Sequence, residues 1–384
     1  MDLFSAASHK PDPEMLLSDQ QRKNWLRLAR TENIGPITFH RLLDRFGTAE
    51  KALEALPELS QKGGRKKPLT PPPEAQIDKE IQMVQKSGGI LLTAADPDYP
   101  VSLAALEDAP PVLTVLGHVH LLNRPCLGMV GARNASLNGR KMAEKLARDC
   151  GQESDIVVVS GLARGIDAAA HQGALENGTV AVVGGGADVI YPRENEKLYH
   201  QICEQGAVVA ENPLGWQPRA QDFPRRNRVI SGLSLGVAVV EATLRSGSLI
   251  TARLAGEQGR DVYAVPGFPG DPRAQGPNSL IKDGAILVQS AEDILECFQP
   301  DQIYRLEERP AEMYDFARNT ENLQDLSDEV REIVGDSLSY TPIAVDELVR
   351  VCQLNIAQVQ EILLELELAG RLVRHPGNRV SLAS

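Results

Sequence analysis

Five cysteines are scattered over the 384 residues, and no two of them form a CxxC pair. Cys126, Cys150, Cys203, Cys297 and Cys352 are odd in number and widely spaced. Neither a disulfide framework nor a zinc knuckle is expected, and metal chemistry has no visible home. Long apolar runs are also missing. The best candidates, residues 180–184 and 236–242, fall far short of the roughly 20 residues that span a bilayer, so no membrane helix is expected. The opening stretch MDLFSAASHKPDPE lacks the basic start, apolar core and cleavage site of a signal peptide, which makes the cytoplasm the expected location. Positive charge is scarce: 40 Lys and Arg stand against 52 Asp and Glu, for a formal net charge of −12. That excludes a protein that coats nucleic acid with its whole surface, because such affinity comes largely from neutralised phosphates. Any nucleic-acid site must be a local positive cluster on an acidic background.

Two cofactor fingerprints are absent as well. The turn at Gly131 lacks the second glycine of GxGxxG, and Gly184-Gly185-Gly186 runs on into Ala-Asp-Val. No acidic residue ends the second strand of the pattern described below. The stretch Gly63-Gly64-Arg65-Lys66-Lys67 has neither the spacing of GxxxxGK[ST] nor a preceding strand. No dinucleotide or other cofactor is expected, and ATP hydrolysis is disfavoured.

The length exceeds what one hydrophobic core supports, so two or three domains are expected. Residues 1–17 form a polar leader without periodicity, expected to be disordered. Residues 18–90 read as a helical domain: Trp25, Leu26, Leu28 and Ala29, then Phe39, Leu42, Leu43 and Phe46, recur at helical spacing in two helices. Between them, Asn33-Ile34-Gly35-Pro36 resembles a helix-hairpin-helix (SAM-like) turn, in which backbone N–H groups face a DNA phosphate. A plain connection in a small helical bundle fits the same residues equally well. The stretch 61–73 reads as a basic loop.

Residues 91–298 form the third zone, and from Cys126 onward short β-rich runs alternate with helical stretches. The pattern predicts strands at 126–130, 156–160, 180–183, 207–210, 236–241 and 261–265. Helices are predicted at 139–150, 167–176, 194–204 and 248–258. This is the signature of a Rossmann-like, doubly wound parallel sheet in an α/β domain. Residues 299–324 read as a polar linker. Residues 325–384 hold three helical stretches and a short hairpin, a pattern that resembles a winged helix. Its third helix carries Glu361, Glu365 and Glu367, which repel phosphate, so a protein-interaction or regulatory role is expected of it.

Ligands of open parallel sheets gather outside the carboxyl ends of the strands. Here the first strand ends in Gly131-Ala-Arg133-Asn-Ala-Ser136 and the second in Ser160-Gly161-Leu-Ala-Arg164-Gly165-Ile-Asp167. The third ends in Gly184-Gly185-Gly186 and continues to Tyr191-Pro192-Arg193. Glycine turns opening helices supply N–H groups and favourable dipoles for anions, while Arg133, Arg164 and Arg193 add guanidinium forks. After the fourth strand comes Phe223-Pro224-Arg225-Arg226-Asn227-Arg228, a positive run in an acidic chain. A charge run is often only a solvated face; this one opens on an aromatic and starts a helix, which favours function. Tyr191 and Phe223 are candidate stacking platforms for unpaired bases, a feature suited to single-stranded DNA.

Ser246-Gly247-Ser248 reads as a helix cap, and Glu241 at a strand end is expected to orient arginines, hold a ribose or act as a base. Asp167 and His171 lie one helical turn apart; capping and packing explain them better than catalysis does.

The strings GARNAS, SGLARGIDAAAH, GGGADVIYPREN, FPRRNRVISGLS, EATLRSGSLITARLAGEQGRDVYAVPG and NSLIKDGA, in this order, closely resemble the DprA (Smf) family of bacterial DNA-processing proteins. Asp98-Tyr99-Pro100 and Pro110-Pro111 upstream resemble it too. The resemblance implies a protein that is no enzyme, binds single-stranded DNA, pairs as a homodimer through its Rossmann-like domain and hands the strand to RecA in natural transformation. It further implies a strand-binding pocket at Arg133, Ser160, Gly161, Arg164, Gly165, Arg193 and Lys197, walled by Phe223, Arg225, Arg226, Asn227 and Arg228, to which the strand-end turns add Ser136, Gly184 and Gly186. The family commonly has a tyrosine where this chain has Asn138. Two other readings compete: a nucleotide-hydrolysing enzyme with Glu241 as base, and a transcription factor that reads duplex DNA through the winged helix.

Overall fold

The computed structural model describes residues 17–298, 326–375 and 377–383. The leader expected over 1–17, apart from Leu17, and the linker expected over 299–324 lie outside the described residues. The chain divides into two compact units. One is built on residues 79–310; the other joins residues 18–78 to residues 311–384. No described helix is long and apolar enough to cross a membrane.

Helix α1 (Asp19–Ala29) starts at Ser18, whose side chain and that of Gln21 cap each other's backbone N–H. Helix α2 (Pro36–Phe46) begins with proline at its first turn, and Gly47 ends it at φ 74°. Thr48 then caps α3 (Ala49–Lys62). That left-handed glycine followed at once by a threonine cap is why three helices stand where periodicity predicts two. Helix α4 (Glu74–Lys86) and the short α5 (Val101–Ala104) follow.

The larger unit carries a nine-stranded sheet: β1 (Ile90–Thr93), β2 (Val112–Gly117), β3 (Cys126–Val130), β4 (Val157–Ser160), β5 (Thr179–Gly186), β6 (Ala207–Asn212), β7 (Gly236–Val239), β8 (Asp261–Ala264) and β9 (Ile286–Leu287). Their order is β1-β2-β6-β5-β4-β3-β7-β8-β9. Strands β3 to β9 pair in parallel; β1 and β2 are antiparallel additions at one edge. The central strands are apolar without alternation, Val-Val-Val-Ser in β4 and Gly-Val-Ala-Val in β7, because both faces are covered. Helices α6 (Leu137–Ser154), α7 (Ile166–Ala174), α8 (Glu196–Gln205) and α12 (Ala291–Cys297) pack on one face. Helices α9 (Asp222–Leu233) and α10 (Gly247–Glu257) cover the other, and α11 (Gln275–Lys282) follows β8. From β3 the chain winds outward through β4, β5 and β6; it then returns to β7 on the opposite side of β3. The winding direction therefore reverses between β3 and β7, where a doubly wound sheet opens a crevice.

In the smaller unit, Trp25 and Phe39 meet edge to face at 5.1 Å, inside a core that includes Leu28, Leu42 and Leu56. Its second part holds α13 (Asp328–Asp336), α14 (Val345–Cys352) and α15 (Ile356–Leu368), with β10 (Ile343–Ala344), β11 (Leu372–His375) and β12 (Arg379–Leu382) in the order β10-β12-β11. Val334, Leu348, Ile362, Leu363 and Val380 form its core. Helix α15 lies on α3 so closely that a Cβ on Gly63 would stand 1.9 Å from the Glu365 carbonyl oxygen. Arg371 donates to the Gly63 carbonyl at 3.2 Å, and Asn33 donates to that of Leu368 at 3.4 Å.

This packing revises the expectation that the third-helix glutamates present a phosphate-repelling face. Glu361 pairs with Arg45 at 2.8 Å, Glu367 pairs with Arg374 at 2.8 Å, and the buried Glu365 takes both arms of Arg331 at 2.9 and 3.1 Å. Their charge is met inside the unit and presents no repelling face. Gly63→Val is expected to destabilise the protein by about 1–3 kcal/mol, since the added methyls collide with backbone. Urea unfolding of the full chain measures this, and an unchanged midpoint would refute the close α3–α15 packing.

Candidate nucleic-acid interface

The turn after β3 carries Arg133 and is held from the neighbouring strand. Ser136 caps α6 by accepting from the Gly139 N–H at 2.9 Å. Its own N–H and hydroxyl donate to the two oxygens of Glu241, at 2.8 and 2.6 Å. Gly139 is required there, because a Cβ would stand 2.4 Å from the Glu241 carboxyl carbon. Of the roles expected for Glu241, the structure shows an anchor: its carboxylate ties the β7 end to the turn that presents Arg133. Ser136 faces that anchor and lines neither depression described below.

The turn after β4 is packed from below. Ser160 is fully buried and donates to the Met129 carbonyl at 2.6 Å, so it joins β4 to β3 and faces no ligand, contrary to expectation. Gly165, at φ 82°, lies against the first turn, where a Cβ would stand 2.2 Å from the Ala132 oxygen. Arg226 is buried too. Its Nη1 donates to the carbonyls of Gly161 (2.8 Å) and Val182, and its Nε donates to Asn227 at 3.1 Å. Asp167 accepts from the Ala163 N–H at 3.3 Å. A Cβ on Gly161 would stand 2.4 Å from Arg226 and 2.8 Å from Asp167. Arg228 turns inward as well, gripping both oxygens of Glu211 at 2.6 and 2.7 Å. Two of the three arginines in the expected basic run thus serve the framework, because a helix that packs on a sheet turns one face inward.

The glycine triplet is also corrected. Strand β5 runs through Gly186 instead of stopping at Val183, and all three glycines are buried. The Gly186 N–H donates to the Trp216 carbonyl at 2.9 Å, and a Cβ there would stand 2.5 Å from the Pro213 oxygen. A Cβ on Gly185 would stand 2.8 Å from the Trp216 oxygen, while the Phe223 ring lies at ordinary contact distance, 3.4 Å, from the Cβ position of Gly184. The triplet offers no bare N–H row; it makes room for the chain that seats Phe223.

What does converge is a pair of adjoining depressions. One of about 850 Å³ is lined by Gly131, Arg133, Asn134, Tyr191, Phe223 and Asn227, among others. A neighbour of about 500 Å³ adds Gly161, Arg164 and Arg193 and shares Arg133, Tyr191 and Phe223. The Tyr191 and Phe223 rings lie 5.4 Å apart, and the Arg133 guanidinium is 5.7 Å from the Phe223 centroid. Arg164 and Arg193 are exposed, Arg164 with a loose 3.6 Å pair to Glu194. Lys197 and Arg225 are exposed beyond both depressions. Missed in the sequence are Thr243, Ser246, Gly247, Ser248, Thr251 and Arg273, which line the larger depression on its β7 side. Their signal was present as Ser-Gly-Ser after a strand, but only the strand order sets that loop opposite Arg133.

Comparisons with known proteins bear on the whole chain. Residues 90–299 match the family model for DNA recombination-mediator protein A. Residues 19–82 match the DprA-like N-terminal HHH domain, and residues 317–378 match the DprA winged helix domain. Protein Smf of Escherichia coli strain K12 is 41% identical over 313 residues, 81% of this chain and 82% of that protein. The X-ray structure of DNA processing protein A from Streptococcus pneumoniae gives a TM-score of 0.63 at 35% identity, over 74% of this chain and 99% of that one. A structure of the Helicobacter pylori protein, described for its single-stranded DNA binding mode, gives 0.51 at 27% identity, over 55% of this chain and 97% of that one.

Electrostatics under the cleft follow from burial. Burial pushes the Asp167 carboxyl up, against the pull of Arg226 and the Ala163 and Gly161 N–H groups. Burial also brings Arg226 down to about 10, with Asp167 opposing, which leaves the guanidinium charged at neutral pH. His171 is fully buried, and burial, helped by Arg226, lowers it to about 3. Thr179 donates its hydroxyl proton to the Val158 carbonyl, so the neutral ring donates from Nδ1 to the threonine oxygen at 2.7 Å. This packed histidine makes folding sensitive to acid. Its folded value lies below the ordinary 6.5, so protons favour the unfolded chain. Stability is therefore lost as pH falls from 6.5 toward about 3, by about 1.4 kcal/mol per pH unit. His171→Leu is expected to flatten that slope; equal slopes in both proteins between pH 6 and about 4 would count against it.

Proposed function

The chain belongs to the DprA (Smf) family of DNA-processing proteins, and on that premise we propose that its larger unit binds single-stranded DNA across the cleft at the β3–β7 crevice. The observation that carries this reading is the Arg133–Phe223–Tyr191 group. A guanidinium beside two accessible rings offers a phosphate partner and stacking faces next to each other, which suits a strand whose bases are unpaired. Arg164 and Arg193 continue the positive charge along the neighbouring depression, and Lys197 and Arg225 extend it past the rim. Gly161 and Gly165 shape the turn after β4, Gly184 and Gly186 end β5, Ser136, Ser160 and Arg226 hold the turns, and Arg228 braces β6 through Glu211. Asn227 lines the cleft floor.

A few exposed arginines on a chain of net charge −12 fit a local grip on a strand and do not fit a coating protein. The Helicobacter pylori relative described for single-stranded DNA binding supports the assignment. The proposal extends to a role in natural transformation in the cytoplasm: two copies pair through the larger unit and pass the strand to RecA. In this reading residues 91–298 grip DNA, and residues 18–90 and 325–384 serve as the helical and winged-helix parts. The protein acts by binding and not by catalysis, with Glu241 as the anchor of the Arg133 turn.

Fluorescence anisotropy with labelled oligonucleotides of several sequences, over a range of salt concentrations, tests the assignment. Arg133→Ala is expected to weaken binding to every sequence alike. It should also lower the slope of log affinity against log salt by about 0.7 for each phosphate that Arg133 neutralises. If neither affinity nor slope changes, Arg133 does not hold the strand.

A further inference from the structure

The β7 side of the larger depression is built as an anion site, and none of the residues matched to the family pocket explains it. Helix α10 starts there, 11 residues long, with Ser246 as its cap. The Ser246 and Ser248 hydroxyls meet at 2.7 Å. The Gly247 N–H has no acceptor among the described residues, and a Cβ on Gly247 would meet nothing within 4 Å. A second observation points to a ligand independently of the helix end. Thr251, one turn further in, is 1% exposed and lines the cleft, and its hydroxyl has no hydrogen-bond partner among the described residues. Arg273 closes the far side. Its carbonyl accepts from the Ala242 N–H at 2.8 Å, which pins it beside the β7 end, and Asp271 steadies its guanidinium at 2.9 Å.

This lobe presents the cleft with an amide, the hydroxyls of Thr243, Ser246, Ser248 and Thr251, a helix N-terminus and a guanidinium. No carboxylate is among the residues by which the lobe lines the depression. The depression, at about 850 Å³, is large enough for a nucleotide.

We propose that the α10 lobe binds a second phosphate of the DNA strand, next to the one held by Arg133, through Gly247, Ser248 and Thr251. The inference rests on the strand-binding reading above. The phosphate is either internal to the strand or a terminal 5′-phosphate. The lobe grips it mainly through neutral donors, so the contact contributes affinity with little added dependence on salt.

The test uses the full chain and oligothymidylates with and without a 5′-phosphate. Gly247→Asp places a carboxylate in open space at a first helical turn, which favours the helix but repels phosphate. Affinity is expected to fall about tenfold or more. A loss with both oligonucleotides assigns an internal phosphate; a loss confined to the phosphorylated one assigns the strand end. Should the aspartate disturb folding, Ser248→Ala combined with Thr251→Val removes two hydroxyls and no charge. That variant is expected to bind several-fold more weakly with an unchanged salt slope. Wild-type affinity in a folded lobe variant, while Arg133→Ala binds weakly, overturns the lobe alone. Wild-type affinity in both overturns the strand-binding cleft with it.

Discussion

A guanidinium taken out of water must be met by acceptors on nearly every side, and Arg226 shows what meeting that demand does to the molecule around it. Its donors reach the carbonyls after β4 and within β5, and its charge lies next to buried Asp167. One side chain from α9 thereby ties the turn after β4 to the middle of β5. Gly161 has no side chain because Arg226 and Asp167 fill that space. Phe223 opens the same helix, so its ring is set at the rim by the turn that sends Arg226 inward. The floor of the cleft is a hydrogen-bonded plug around a buried guanidinium, and it tolerates few alternatives.

How much of this was legible depended on whether a residue's role follows from its neighbours in sequence. The alternation of β-rich and helical stretches placed the strands β3 to β8 within a few residues, and the glycine at position 47 with its threonine explains the one extra helix. Arg133, Tyr191 and Phe223 were named from the sequence, and the structure brings them together. What could not be read was direction. Arg225, Arg226 and Arg228 look alike as a run, yet helical geometry turns the first outward and the other two inward, onto carbonyls and Glu211. The glycine triplet suggested a turn because glycine permits one; crowding by the Pro213 and Trp216 backbone is a long-range cause that no local window contains. The α10 lobe was read as a cap, correctly, but only the strand order shows that this cap faces Arg133.

The acidic composition and the proposed ligand are reconciled by the same accounting of direction. Some of the carboxylates near functional elements are already met by a cation: Glu211 by Arg228, Glu365 by Arg331. A paired carboxylate contributes little field at a distance, so the cleft can be locally positive while the whole chain is negative. In the proposed binding mode few phosphates are neutralised, and stacking on Tyr191 and Phe223 would take a correspondingly larger share.

The smaller unit extends this logic to the two ends of the chain. Helices near the N-terminus and the winged helix near the C-terminus are separated by the whole sheet domain in sequence, yet Gly63 and Glu365 are in backbone contact. Such closeness needs a glycine on one helix end and a carbonyl that can approach it, and Arg371 completes the junction by bonding the Gly63 carbonyl. Helix α15 is therefore occupied on its glutamate side: Glu361 reaches Arg45 across the junction, and Glu365 and Glu367 are held by arginines of their own segment. A winged helix normally enters a DNA groove with its third helix. Here that helix is committed to the hairpin-containing helices, so any nucleic-acid contact made in this arrangement must come from its other faces, which agrees with the proposal that the strand is gripped in the cleft of the larger unit.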